Sequence, residues 1–353
     1  MHWGMQSNFY PIVPFFSHYG ENGITEYDFS HGKAEISDDT QMTLFTATGL
    51  LLGTAHGLTR ETIGMYSSYI NLSYKDWYKT QAQRYPLPDE PHSSWLVNIP
   101  EVFSCRAPGG TCLSAISSST YGTIEAPINQ SKGCGGVMRI APIALYFEDK
   151  GLTADEVAMI GAEAAALTHG HSLGYIPAAG LVYIIHRIAH SDKITLLEAV
   201  MEMRKFIARQ FAGDAHLQEF LLLVDKAIEL SQYASIDDLD AIRELGQGWV
   251  AGETLAIAIY CSLKYSRDFD KALIASVNHG GDSDSTGAVT GNILGAYLGL
   301  KGIPQKYLDK LELKDVILEI ADDLYNDCPM SEHPAAHDDI WAQKYIHVTY
   351  CPK

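Results

Sequence analysis

Apolar positions along this chain recur mostly at the three-to-four residue spacing of a helix, and rarely at the two-residue alternation of a strand. Gln41 to Leu58 reads as a buried helix rich in small residues. Thr153-Ala154-Asp155-Glu156 and Thr195-Leu196-Leu197-Glu198 are capping boxes, in which a hydroxyl and a glutamate three positions later satisfy the first backbone N–H groups of a helix. They predict helices through 158–167 and to about Phe211. Leu173 to Ala189 is apolar nearly all round, the pattern of a central helix. The helical pattern continues over 216–230, 236–245, 252–263, 270–277, 286–298 and 315–325. Tyr345 to Tyr350 is the one short strand candidate. Pro86 to Pro91 and Ser104 to Gln130 are rich in Pro, Gly and Ser and read as loops. They fall inside the helical pattern, so the expectation is a single all-α domain over residues 1–353. Within it, 1–36 is a shortened or divergent N-terminal segment and 328–353 a C-terminal tail. No internal repeat of fixed period stands out.

Composition narrows the function classes. The 353 residues are 46% apolar and 19% charged, a globular balance. The formal net charge is 25 − 43 = −18, which argues against non-specific nucleic-acid binding and against docking on anionic membranes. Six cysteines without a C-x-x-C pair favour free thiols in a reducing compartment. No basic residue precedes Lys33, unlike a secretory signal, and no apolar run reaches the roughly 20 residues of a membrane span. A soluble cytoplasmic protein is the expectation.

Two acidic clusters carry the candidate chemistry. One is Ser37-Asp38-Asp39-Thr40; the other is Gly280-Gly281-Asp282-Ser283-Asp284-Ser285-Thr286. Carboxylates crowded this closely repel one another unless a cation sits between them. An oxygen-only donor set suits a hard ion such as Mg²⁺, Mn²⁺ or Ca²⁺ rather than zinc. Either cluster alone reads as a helix start or a solvated turn. The second is no EF-hand loop, because its twelfth position from Asp282 is Ile293. Ser37 can cap the helix that follows it, with Asp38 and Asp39 in the first turn. Asp282 and Asp284, at alternate positions, would point the same way in an extended turn. Glycines at 287, 291, 295 and 299 form a stripe on the following helix. Each interior one costs about 1 kcal/mol relative to Ala, so the stripe predicts close approach of another backbone, most simply the helix bearing the first cluster.

Two further segments join them. Ser131-Lys132-Gly133-Cys134-Gly135-Gly136 is a glycine-rich turn whose N–H groups could cradle a phosphate, although it matches neither a Walker loop nor a dinucleotide fingerprint. Leu167-Thr168-His169-Gly170-His171 ends a helix, where a histidine is most often a cap or a satisfied polar contact.

The order Ser-Asp-Asp-Thr, Gly-x-Gly-Gly-x-Met-Arg, Thr-His-x-His, Gly-Gly-Asp-x-Asp-Ser-Thr resembles the ADP-ribosylglycohydrolase family, as does Gly246-Gln247-Gly248-Trp249-Val250-Ala251-Gly252-Glu253. The resemblance covers roughly residues 20 to 325 and rests chiefly on the two acidic motifs. It implies an all-α fold around two Mg²⁺ ions, with Mn²⁺ as a substitute. Ser37, Asp38, Asp39, Asp282, Asp284 and Ser285 would be the ligands, and Asp38, Asp39 and Asp284 would carry the catalysis. The loop Ser131, Lys132, Gly133, Cys134 and Gly135 would hold the diphosphate or distal ribose, and His169 the ribose or adenosine side. The implied reaction is hydrolysis at C1″ of ADP-ribose attached to a protein side chain or small molecule, with ADP-ribose as product.

The chain departs from the family pattern at its start. The usual Gly-Asp-x-x-Gly segment is missing, and Pro14 or Phe15 falls about where a Glu is expected. Glu21, Glu26 and Glu35 are the nearest candidates to replace it. Ser285 stands for the more usual Thr and Cys134 for a frequent Asn. The unfilled Glu leaves a second reading open: an ADP-ribose-binding or toxin-immunity protein of the same fold with little turnover.

Overall fold

A computed structural model describes residues 19–20, 23–29, 31–60, 64–148, 150–191, 193–330 and 337–352. Pro14, Phe15 and Glu21 lie outside them. Among the described residues the fold is helical, with two isolated β-bridges, Ala34 to Leu311 and Gly133 to Val250. The helices are α1 Asp38–Arg60, α2 Tyr66–Ala82, α3 Gly110–Ser117, α4 Ala141–Tyr146, α5 Ala154–Ala166, α6 Ser172–Ala189 and α7 Leu196–Gln210. They continue with α8 Leu217–Ser231, α9 Asp238–Leu245, α10 Ala251–Lys264, α11 Phe269–Val277, α12 Ser283–Leu298, α13 Lys314–Asn326 and α14 Asp339–Tyr345.

Helix α6 forms the centre and is flanked by α4, α5, α7, α10 and α12. It is apolar and long enough by composition to cross a membrane, but 78% of it is buried in the fold, so its apolar surface faces neighbouring helices. Both predicted capping boxes form. Thr153 and Thr195 accept from the N–H of Glu156 and Glu198, whose carboxylates accept from the threonine N–H in return.

Helix α2 falls in a stretch the residue pattern left without an element. Its inward face explains why. Ser67, Asn71, Ser73, Asp76 and Thr80 are buried there beside Ile70, Tyr74 and Trp77. Two of the polar ones are matched by partners on other elements, and Thr80 within the helix: Ser73 pairs with Thr48 at 2.9 Å, Asp76 accepts from Ser94 N at 3.0 Å, and Thr80 Oγ1 donates to Trp77 O at 2.7 Å. A face held by hydrogen bonds leaves no apolar period to read. The Ser104–Gln130 loop likewise contains α3.

The glycine stripe of α12 does not do what its spacing predicts. A Cβ on Gly287 would meet Val277 Cγ1 at 2.7 Å, but Gly291 and Gly295 have no described atom within 4 Å of theirs. The close approach lies elsewhere: a Cβ on Gly49 of α1 would sit 2.7 Å from Ile70 Cα of α2. Two substitutions should therefore act in opposite directions. Gly295→Ala gains up to about 1 kcal/mol of helix propensity. Gly49→Ala gains the same but drives two backbones apart, at a cost of about 1–3 kcal/mol. Urea unfolding of both variants reads the difference, and equal signs would refute this packing account.

Tyr345 to Tyr350 is not a strand. Helix α14 runs to Tyr345, and Val348 takes a left-handed φ of 56°. The main-chain groups that a strand would need are already engaged. His347 N donates to Ala342 O, Thr349 N donates to Gln343 O, and Asn98 Nδ2 donates to the carbonyls of Val348 and Tyr350. The tail docks instead through buried Lys344, which pairs with Glu319 at 2.8 Å and Asp323 at 2.7 Å.

Candidate metal centre

The two acidic clusters, whose nearest aspartates Asp39 and Asp282 are 282 − 39 = 243 positions apart in sequence, meet at the N-termini of α1 and α12. Ser37 Oγ donates to Asp284 Oδ1 at 3.1 Å. Asp38, Asp39 and Asp284 each offer a carboxylate oxygen, and these atoms all lie within 4.8 Å of one another. All three residues are at most 5% exposed. At an effective dielectric of about 20, two unit charges about 4 Å apart repel by ~4 kcal/mol. Burial, followed by repulsion from Asp284, accordingly pushes both Asp38 and Asp39 well above the ordinary carboxylate range. Asp39 Oδ1 is buried with no hydrogen-bond partner among the described residues. An orphaned carboxylate oxygen inside a cluster of like charges fits a divalent cation.

Each arm is fixed by contacts with neighbouring segments. On the α1 side, Asp38 N donates to Arg106 O at 3.1 Å and Gly109 N donates to Asp38 Oδ2 at 3.2 Å. Arg106 in turn bridges Glu35 at 2.7 Å and Glu312 at 3.0 Å. Glu35 is thus engaged as an ion-pair partner, and Glu26 is exposed. Neither sits at the acidic centre.

On the α12 side the structure corrects the extended-turn expectation. Asp282 is the N-cap residue, its Oδ1 accepting from Ser285 N at 3.2 Å, and Asp284 belongs to the first helical turn. Asp282 N donates to Gln247 O at 2.7 Å. His279 closes the turn: its Nδ1 accepts from Gly281 N at 3.1 Å, and its Nε2 lies 2.9 Å from Thr286 Oγ1. Asp282 Oδ2 accepts from Cys134 Sγ at 2.8 Å. Both Asp282 oxygens are therefore hydrogen-bonded within the protein. Burial and the neighbouring Asp282 charge push the Cys134 thiol up, keeping it protonated as the donor.

A cavity of about 290 Å³ opens over the acidic centre. Asp38, Asp39, Asp282, Asp284, Ser285, Gly133, Cys134, Gly135 and His169 line it, so most of the residues expected at the site are brought together. Ser131 and Lys132 stand behind it. Ser131 Oγ accepts from Gly133 N at 3.3 Å, and exposed Lys132 accepts from Ala251 N through its carbonyl at 3.0 Å. Cys134 N donates to Trp249 O at 3.1 Å. The glycine loop is therefore bridged to the 249–251 segment, and its Gly133 and Cys134 N–H groups are spent inside the protein rather than open to an anion.

Gly109, Gly110, Thr111, Cys112, Met138 and Trp249 also line the cavity and were not assigned to the site from sequence. The Gly109-Gly110 pair after Pro108 was the available signal for a close backbone approach. Trp249, 45% exposed, stands at the rim.

Both the sequence and the fold have known relatives. The family model for ADP-ribosylglycohydrolase matches residues 4–334. ADP-ribosylhydrolase ARH3 of Homo sapiens is 28% identical over 203 residues, which are 52% of this chain and 54% of that protein. The ADP-ribosyl-[dinitrogen reductase] glycohydrolase of Rhodospirillum rubrum is 28% identical over 213 residues, 58% of this chain and 60% of that one. The chain thus spans little more than half the length of these relatives. A solved structure titled ADP-ribosylglycohydrolase-related protein complex superposes with a TM-score of 0.54 at 20% identity, covering 92% of this chain and 99% of that one, and shows the shared fold. With its helical fold, its paired acidic motifs and a match over nearly its whole length, this chain belongs to the ADP-ribosylglycohydrolase family.

Proposed function

We propose that this protein is a magnesium-dependent ADP-ribosyl hydrolase that cleaves the glycosidic bond at C1″ of the distal ribose, releasing ADP-ribose from a modified side chain or small molecule. The observation that carries the reading is the convergence of three buried carboxylates with an orphaned oxygen on Asp39. Asp38, Asp39 and Asp284, with the Ser37 hydroxyl, would hold two Mg²⁺ ions, and Mn²⁺ would serve in their place. Asp282 and Ser285 adjoin this set, and Asp282 would join it by releasing the Cys134 thiol. When bound, such ions supply Lewis-acid polarisation of ribose hydroxyls and of water.

The chain's own groups supply the rest. A carboxylate oxygen of the Asp38, Asp39 and Asp284 set that an ion does not engage would take the proton from an attacking water. The clustered carboxylates stabilise positive charge developing at the ribose ring. Glycines at 133 and 135 let the ligand approach the backbone. A Cβ at Gly135 would lie 2.8 Å from Cys112 Sγ and 2.9 Å from His169 Cε1.

The assay is release of ADP-ribose from ADP-ribosylated arginine and serine substrates in Mg²⁺, with a chelator control. The expected outcome is turnover that EDTA abolishes and Mg²⁺ or Mn²⁺ restores. Tight calorimetric binding of ADP-ribose without release above buffer would replace this reading with that of a binding protein, which the engagement of Glu35 by Arg106 favours.

A further inference from the structure

Arg139 is fully buried, and among the described residues its hydrogen-bond partners include no carboxylate. Its guanidinium lies 4.4 Å over the Tyr74 ring. Nη1 donates to Cys112 Sγ at 3.3 Å, and Nη2 donates to Ala164 O at 3.3 Å and to Thr168 Oγ1 at 2.7 Å. Thr168 Oγ1 lies in turn 2.8 Å from His169 Nδ1. These contacts make a short chain that runs from a fixed cation to the edge of the cavity.

The direction of its protons follows from what each group can do. A guanidinium only donates, so Thr168 Oγ1 accepts from Arg139. Thr168 is 0% exposed, and its hydroxyl proton has no other acceptor among the described residues than His169 Nδ1. If Nδ1 carried a proton, the hydroxyl would receive two donors and leave its own proton buried and unmatched, which is disfavoured. The ring is neutral as well: burial first, and Arg139 second, lower the His169 pKa to about 3. His169 Nε2 faces the glycine loop, 3.4 Å from where a Cβ on Gly133 would be and 3.2 Å from one on Gly135.

We infer that Arg139 and Thr168 are positioning residues that lock His169 as the Nε2–H tautomer, so that the cavity presents a ring N–H donor to an acceptor oxygen of the ligand. A ribose hydroxyl or a phosphate oxygen supplies that acceptor. A protonated imidazolium would be drawn to the Asp cluster, whereas a neutral donor of fixed orientation is not. The ligand's identity rests on the hydrolase reading above; the tautomer does not.

Nitrogen-15 NMR of the labelled full-length protein separates the two. The His169 signals are identified by their loss in His169→Gln. In the wild type, Nδ1 should resonate as an unprotonated nitrogen and Nε2 as a protonated one. Thr168→Val should convert this to a tautomer mixture, and Thr168→Ser should restore it. A protonated Nδ1 in the wild type overturns the inference even if the valine variant fails to fold, and so does a valine variant that keeps the pure Nε2–H form. Calorimetry with ADP-ribose in Mg²⁺ gives the functional arm. Thr168→Val should weaken binding about tenfold, with Thr168→Ser close to wild type. A changed tautomer with unchanged affinity would remove the donor role. A correct tautomer in a protein that binds no ADP-ribose would instead sink the proposed function and leave the positioning intact.

Discussion

Asp39→Asn should abolish ADP-ribose release, by about a thousandfold or more, and yet make the metal-free protein more stable. The two effects share one cause. Asp38, Asp39 and Asp284 hold carboxylate oxygens within 4.8 Å of one another in a buried site. Without a cation, that arrangement costs desolvation and like-charge repulsion. Removing one charge should raise metal-free stability by about 1–2 kcal/mol, as when a strained functional site is relaxed. The same change removes a ligand, so the stabilisation by saturating Mg²⁺ should shrink. A site with Mg²⁺ at a hundred times its Kd gains about 2.7 kcal/mol.

The pH dependence carries the same signature. Asp38 and Asp39 have folded-state values raised above the ordinary 3.8, so the folded protein binds more protons than the unfolded chain. Metal-free stability should then fall as pH rises above about 4 and through the raised values. Asp39→Asn should flatten that fall, and Mg²⁺ should oppose it. Thermal melts across pH, with EDTA and with Mg²⁺, read all three. A variant that melts lower than wild type in EDTA at neutral pH, with an unchanged Mg²⁺ shift, would remove the metal centre from this account.

Among the described glycines, Gly281→Ala should be the most damaging substitution. An added Cβ would lie 1.8 Å from Gln247 O and 2.6 Å from Gln247 C, both backbone atoms that cannot rotate away. The carbonyl in its path accepts from Asp282 N at 2.7 Å. The displaced 246–250 segment also carries the Trp249 carbonyl that fixes Cys134 N. One substitution therefore shifts the α12 N-terminus and the glycine loop together. The expected cost is about 3 kcal/mol or more, at the upper end for overpacking, with loss of Mg²⁺ binding and of activity. Gly213→Ala, with nothing within 4 Å of the new methyl, is the control and should behave as wild type. Chemical denaturation and Mg²⁺ calorimetry on both would reveal an error: near-wild-type stability and metal binding in Gly281→Ala would mean this contact does not shape the site.

Much of the helical order was legible because most helices bury apolar faces, and capping residues at Thr153 and Thr195 mark their starts. Helix α2 was not, because its buried face carries Ser67, Asn71, Ser73, Asp76 and Thr80, of which Ser73 pairs with Thr48 of α1 and Asp76 with the 93–94 segment. The strand expected at 345–350 failed for a related reason. Its alternation was real, but pairing needs a neighbour, and the tail's N–H groups turn back onto α14.

By itself the sequence determined the helical class, the donor chemistry of the two acidic clusters and the order of motifs that places the chain in its family. Those properties are local, or are carried by residue identity. Only the tertiary structure decided that Asp38, Asp39 and Asp284 converge while Asp282 caps α12 and takes the Cys134 thiol. It also decided that Gly49, Gly135 and Gly281 are among the tight glycine contacts while Gly291 and Gly295 are not, and that Arg139 reaches His169 through Thr168. Each depends on distances between segments far apart in the chain. Such distances are set by how whole helices pack, and no local spacing encodes them.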